Sequence, residues 1–290
     1  MAHEKVLIIG ASGAVGASIF DYISARSESV FGTFNSNPEN SKASFLHLDL
    51  SSSHITSACI QLLKPSVVVY CAGFKDLRKC QSDPITPLQI NALYIENLHI
   101  AFQKLNYSPL FIYLSTDYVF AGDRGGYTFV DNCEPNTSYG LSKLLGEHFA
   151  KKLFPDHLIL RSSAIMIPGA GFFGWINRSI VENQPIQAFD NIFFSPTPIV
   201  KLCNVIHSYI LGRGNISQRI LHCSSNIRLS RYEFIARYAS IAFPEKSILL
   251  KPLSVDLNNS IFRPDLSICD GTKRSLQSSD SLNFQTFCND

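Results

Sequence analysis

Charge of one sign, tryptophan and methionine are all scarce in this sequence. It has one Trp (Trp175), two Met and a formal net charge of only +2 over 290 residues. So small a charge gives no electrostatic footprint for nucleic acid or an anionic membrane, and neither is expected as a partner. Long apolar runs are absent as well. None approaches the roughly 18 residues needed to span a bilayer. The run Val6-Leu7-Ile8-Ile9 is too short for a secretory signal and leads straight into glycine. The cysteines (59, 71, 80, 133, 203, 223, 269 and Cys288) form no C-x-x-C pair and no zinc spacing. The expectation is a cytoplasmic protein with reduced, mostly buried thiols and no bound metal. With 46% apolar and 17% charged residues the profile is globular, and the length allows one large domain or two modest ones.

What is present is an alternation of strand-like and helix-like segments. Lys5–Ile9, Ser29–Phe34, Ser44–Leu50, Ser66–Cys71, Leu110–Ser115 and Leu158–Ser162 read as strands. Ala17–Ala25, Ile55–Leu63, Pro87–Leu105 and Tyr139–Leu153 read as helices. Apolar strands in repeated β-α-β units predict an α/β fold of Rossmann type, a doubly wound parallel sheet with helices on both faces. After about Ile165 the alternation weakens and Gly and Pro become frequent. This predicts a smaller C-terminal lobe built from insertions, with helices over Ile199–Leu211 and Ser230–Phe243. The expected division is 1–164 for the Rossmann domain and 165–290 mainly for the lobe, some segments returning. The tail from Ser275 is Ser-rich, the composition of a poorly ordered terminus.

The turn Gly10-Ala11-Ser12-Gly13-Ala14-Val15-Gly16 follows the first strand and opens the first helix. Gly10 permits a tight turn, Gly13 lets backbone approach a pyrophosphate, and Gly16 allows close helix–strand packing. The helix N-terminus offers free N–H groups and partial positive charge to phosphate. Glycine turns also occur without a ligand; the place of this one in a β-α-β chain gives it weight. The second strand ends Thr33-Phe34-Asn35-Ser36, with no acid to bond a ribose 2′-OH and no arginine to clamp a 2′-phosphate. Thr33, Asn35 and Ser36 can donate to either, or serve as ordinary turn residues. The sequence leans to NADPH, with NADH open. Asp49-Leu50 ends the third strand, where an adenine edge can rest; Asp49 reads equally as a cap for the next helix. Cys71-Ala72-Gly73 ends the fourth, small enough to admit a nicotinamide ribose.

Tyr139 and Lys143 stand at i and i+4 on one helix face. Reduction of a carbonyl needs a proton on oxygen, which a tyrosine can give. Its ordinary pKa of about 10 is high, and a neighbouring ammonium lowers it. Ser115 and Thr116 leave the fifth strand at the sheet's carboxyl edge, where α/β ligands bind, and a hydroxyl there can bond a substrate oxygen. Without Tyr139 downstream they read as turn caps.

These pieces resemble the extended short-chain dehydrogenases/reductases, and within them the dTDP-4-dehydrorhamnose reductase family, which includes the regulatory β subunit of methionine adenosyltransferase. The resemblance rests on Gly10-x-x-Gly13-x-x-Gly16, on Ser115-Thr-Asp-Tyr-Val-Phe120 with Gly122, and on Pro135-Asn136 ahead of Tyr139-Gly-x-Ser-Lys143-x-x-Gly146-Glu147. Ser195-Pro-Thr-Pro-Ile-Val200 and Arg263-Pro264 with Leu266 also match. It implies reduction of a nucleotide-linked 4-keto-deoxysugar by NADPH, with Thr116, Tyr139 and Lys143 as the catalytic set. Gly10, Ser12 to Gly16, Thr33, Asn35, Ser36, Asp49, Leu50, Cys71 to Gly73, Tyr139 and Lys143 line the cofactor. Ser115, Thr116, Asp117 and Arg263 meet substrate, Arg263 at the diphosphate. A homodimer is compatible with it. Two other readings share the motifs: a non-catalytic dinucleotide-binding regulatory subunit, and a nucleotide-sugar epimerase or dehydratase. One departure bears on the sugar: Ala164 replaces the tryptophan that the rhamnose reductases carry after Arg161-Ser-Ser163.

Overall fold

The structure is a computed structural model that describes residues 4–36, 38, 42, 44–212, 218–257, 260–271, 276 and 284–287. Cys288 and most of the tail from Ser275 lie outside those residues. The chain forms two compact units: Met1–Val119 with Pro135–Arg161 and Cys203–Leu221, and Phe120–Glu134 with Ser162–Leu202 and His222–Asp290. The expected division at 164 missed one segment. Residues 120–134 leave the first unit directly after the fifth strand and join the second, where the Tyr127 N–H donates to the Ser267 carbonyl.

The first unit is built on a seven-stranded sheet. Six strands come in chain order: β1 (Val6–Ile9), β2 (Val30–Phe34), β3 (Phe45–His47), β4 (Val67–Tyr70), β5 (Leu110–Thr116) and β6 (His157–Ser162). The seventh, Ile220–Cys223, was not anticipated. The spatial order is Ile220–Cys223, β6, β5, β4, β1, β2, β3, with the β1–β2, β1–β4, β2–β3 and β4–β5 pairs parallel. This order reverses direction between β1 and β4, and ligands of such sheets bind at the carboxyl ends beside that reversal. β1, β4 and β5 are buried at every residue, which explains their unbroken apolar runs.

Helices α1 (Ala14–Ser24), α2 (Ser53–Leu63), α3 (Leu77–Ser82), α4 (Ile85–Leu88), α5 (Tyr94–Gln103) and α6 (Ser138–Leu153) belong to this unit. Caps follow local chemistry. The Ser52 hydroxyl accepts the Ile55 N–H at the start of α2, and Thr137 accepts the Gly140 N–H at the start of α6. The long helix expected over Pro87–Leu105 begins at Ile85 and is interrupted by a π-helical stretch, Gln89–Leu93. The wider turn releases carbonyls from the ladder, and buried tyrosines use them: Tyr70 donates to the Ile90 carbonyl at 2.6 Å and Tyr113 to that of Asn91 at 2.7 Å.

The second unit holds helices Gly171–Val181 and Arg231–Ala242 and three short two-stranded pairs. The first of these helices was hidden by its glycines, yet it buries Phe173, Ile176 and Ile180 along one face. Its core gathers Met166, Phe173, Phe194, Phe234 and Tyr238. Phe284 and Phe287, in the Ser-rich tail, are buried in that same core, so this turn of the tail is docked by two aromatic anchors. Among the described residues no helix is long and apolar enough to cross a membrane. Among the described residues the cysteines form no disulfide; Cys59, Cys80, Cys203, Cys223 and Cys269 are buried, Cys71 and Cys133 half-buried.

Candidate active site

The glycine turn leaves β1 with Gly10 at φ +82°, and its backbone lies against the end of β4. Gly13 is the N-cap of α1, with no side-chain cap and no acid in the first turn. Gly13 and Ala14 are exposed, Ser12 and Val15 half-buried, and Gly16 is buried. A helix N-terminus with accessible backbone and no anionic side chain of its own is suited to bind phosphate. The turn therefore fits a dinucleotide.

Three of the residues expected at the cofactor also make bonds or contacts within the scaffold. Thr33 is 1% exposed, and its hydroxyl accepts the Gly10 N–H at 3.2 Å, so it holds the glycine turn from below. Leu50 packs into the main core, and its carbonyl takes the Asn97 amide at 2.7 Å. Asp49 does not cap α2, whose cap is Ser52. It accepts the Ser51 N–H and hydroxyl at 2.9 and 2.7 Å, which lowers its carboxyl pKa. Asn35 and Ser36 are exposed at the end of β2, and after β4 Cys71 and Ala72 are half-buried and Gly73 is exposed.

Thr116 ends β5, and its hydroxyl donates to Asp117 at 3.0 Å and accepts the Tyr118 N–H at 3.3 Å. The Tyr139 phenol lies beside the Thr116 hydroxyl. Burial drives the Tyr139 phenol above its ordinary range; the neighbouring Thr116 hydroxyl opposes this and the Asp117 charge adds to it. Lys143 is 5% exposed, its Nζ 4.2 Å from the centre of the Tyr113 ring. Burial pulls its pKa down to about 7, against Glu147 and Cys71, which raise it. Tyr139 and Thr116 thus meet at the start of α6 and the end of β5, with Lys143 one helical turn on.

Ser115 does not join them. Its hydroxyl donates to Glu147 at 2.6 Å inside the protein. Asp117 is 5% exposed and bound by Thr116, which makes it a neighbour of the catalytic hydroxyls more than an open contact. Arg263 lies in the second unit. Its stem packs over Gly122, it donates to the Ser260 carbonyl, and its buried Nε has no partner among the described residues.

Four residues given no role from the sequence support the cluster. Arg161 makes a two-pronged pair with Glu147 at 2.8 and 2.7 Å. The Asn91 amide donates to the Phe74 carbonyl and to Ser142, while its oxygen accepts the Phe74 N–H. Tyr113 backs Lys143. The signal for Arg161 was available: a lone cation in the apolar strand Leu158-Ile-Leu-Arg161 needs a buried anion.

The sheet order, the glycine turn at the β1–β4 reversal and the Tyr–Lys pair on α6 define a Rossmann-type α/β protein with a short-chain-reductase site. More narrowly, the chain belongs to the family described as the RmlD substrate binding domain, whose model matches residues 4–285. The dTDP-4-dehydrorhamnose reductase of Aggregatibacter actinomycetemcomitans is 26% identical, over 90% of this chain and 85% of that protein. The methionine adenosyltransferase 2 subunit beta of Xenopus tropicalis is also 26% identical, over 90% and 78%. Among solved structures, a hypothetical dTDP-4-dehydrorhamnose reductase from Sulfolobus tokodaii superposes with a TM-score of 0.80 at 29% identity, covering 97% of this chain and 98% of that one. The reductase from Bacillus anthracis str. Ames in complex with NADP gives 0.80 at 23% identity, over 93% and 91%.

Proposed function

We propose that this protein is an NADPH-dependent reductase of a nucleotide-linked 4-keto-deoxysugar. The observation that carries the reading is the placement of the Tyr139 phenol beside the Thr116 hydroxyl, with Lys143 one helical turn on, in a fold whose glycine turn fits a dinucleotide. The reductase from Aggregatibacter supports the reaction class, and the NADP complex of the Bacillus reductase supports the cofactor.

Backbone at Ser12 to Val15 holds the pyrophosphate, with the α1 N-terminus supplying partial positive charge. Cys71, Ala72 and Gly73 leave room for the nicotinamide ribose, which Lys143 holds through its ammonium. Asn35 and Ser36 sit where a 2′-phosphate or 2′-hydroxyl is met. A bound nicotinamide supplies the hydride. Tyr139 keeps its proton in the resting protein, because burial disfavours the phenolate. It gives that proton to the substrate oxygen as negative charge develops there. Thr116 bonds the same oxygen and steadies the phenolate left behind. The second unit is the substrate lobe, with Arg263 on the diphosphate. Ala164 in place of tryptophan gives a roomier sugar site than in the rhamnose reductases, so the sugar differs from theirs.

The test is absorbance loss of NADPH with dTDP-linked 4-keto-sugars, repeated with Tyr139→Phe. Turnover that Tyr139→Phe abolishes supports the reading. Cofactor binding with no turnover on any keto-sugar, and co-purification with a partner enzyme, supports a regulatory subunit. Turnover on bound NAD⁺ with no net cofactor use supports an epimerase or dehydratase.

A further inference from the structure

Glu147 lies one helical turn beyond Lys143 on α6, where side chains at i and i+4 are neighbours. It is 2% exposed, and three elements of the first unit meet at its carboxylate. Arg161 of β6 gives it two N–H groups, at 2.8 Å to Oε1 and 2.7 Å to Oε2, and Ser115 of β5 gives its hydroxyl hydrogen to Oε1 at 2.6 Å. Two-pronged pairing fixes the plane and the position of a carboxylate. As a device for stability such a pair is poor: an apolar set of the same volume holds a fold as well or better.

Its location gives it another use. Lys143 is buried, and burial disfavours its charge. The groups facing it are Glu147 from its own helix, the Cys71 thiol after β4 and the Tyr113 ring of β5. Of these Glu147 carries the full negative charge, and it does the most to favour the ammonium. The two close no direct ion pair, so the effect acts through space and depends on where the carboxylate is held. Arg161 faces Glu147 from β6, and with Ser115 it fixes that place.

We propose that Glu147, locked by Arg161 and Ser115, is the positioning residue that keeps Lys143 in its ammonium form to hold the dinucleotide ribose. The inference rests on the reading of Lys143 as a ribose-holding group.

The test is NADPH affinity as a function of pH, followed by fluorescence titration. In the native protein affinity declines as pH rises past neutrality, and Lys143→Met removes that decline. Glu147→Gln moves its midpoint down by about one pH unit, so affinity lost at pH 7.5 returns at lower pH. Glu147→Asp keeps the charge and moves it less. A decline that survives in Lys143→Met, or a midpoint unmoved in Glu147→Gln, overturns the proposal. Should Glu147→Gln fail to fold with Arg161 unpaired, the double variant Glu147→Gln/Arg161→Met removes both buried charges. A downward shift there supports the proposal and an unmoved midpoint overturns it. If no variant or native protein binds NADPH, the cofactor reading itself fails. The proton on Lys143 is then read from thermal unfolding of the free protein against pH, where the same displacement by Glu147→Gln is expected and its absence overturns the proposal.

Discussion

Gly10 and Ala72 touch backbone to backbone: a Cβ built on Gly10 would lie 2.7 Å from the Ala72 nitrogen. The turn after β1 and the end of β4 are therefore one surface, and the +82° φ of Gly10 gives the turn its shape. Gly10→Ala forces both a left-handed alanine and a backbone displacement. The expected outcome is a loss of about 1–3 kcal/mol of stability and weaker NADPH binding, measured by chemical denaturation and by cofactor titration.

Tyr139→Phe removes the proton and leaves the ring. Turnover of a keto-sugar is expected to fall by about a hundred- to ten-thousand-fold, while cofactor affinity changes little. Steady-state kinetics with a separate NADPH titration checks both halves; an equal loss in each contradicts the assignment.

Lys143 gives a pH dependence whose sign is opposite to that of a salt-bridged lysine. Its folded pKa is lowered to about 7 from 10.5, so above neutrality the unfolded chain binds the extra proton. Stability of the cofactor-free protein is then expected to rise with pH from about 7 toward 10.5 through this group, and Lys143→Met should abolish that rise. Thermal melts across that range provide the measurement.

Gly146→Ala tests the close approach of α6 to its neighbours. An added Cβ would lie 2.1 Å from the Tyr113 hydroxyl and 2.3 Å from the Asn91 carbonyl, the two partners of a buried hydrogen bond. Overpacking and the broken bond together are expected to cost about 3 kcal/mol, read as a lowered denaturation midpoint.

Arg263→Ala should raise KM for the nucleotide-sugar about tenfold with kcat nearly unchanged, the signature of a group that binds ground state and transition state alike. A fall in kcat alone would place Arg263 elsewhere in the reaction.

The strands, the main helices and the glycine turn were legible because each is written in local spacing: β-branched runs, helical periodicity, glycines at fixed offsets; the Ser52 cap of α2 was not, Asp49 having been the candidate. The π-helical break at Gln89–Leu93 was not, since the carbonyls it frees are taken by two tyrosine hydroxyls from other strands. Helix Gly171–Val181 was obscured by glycines that its burial tolerates.

At the site, the sequence by itself determined the Tyr139–Lys143 spacing and the hydroxyls that end β5, because both lie within one turn or one step of chain. It did not determine how those hydroxyls divide. Only the packing of β5 against α6 and β6 commits Ser115 to Glu147 and leaves Thr116 beside Tyr139. It did not pair Arg161 with Glu147, or send Thr33 beneath Gly10, or assign residues 120–134 to the second unit. Those outcomes depend on which buried polar groups find one another when water is excluded. That is a property of the assembled core, and no local pattern in the chain encodes it.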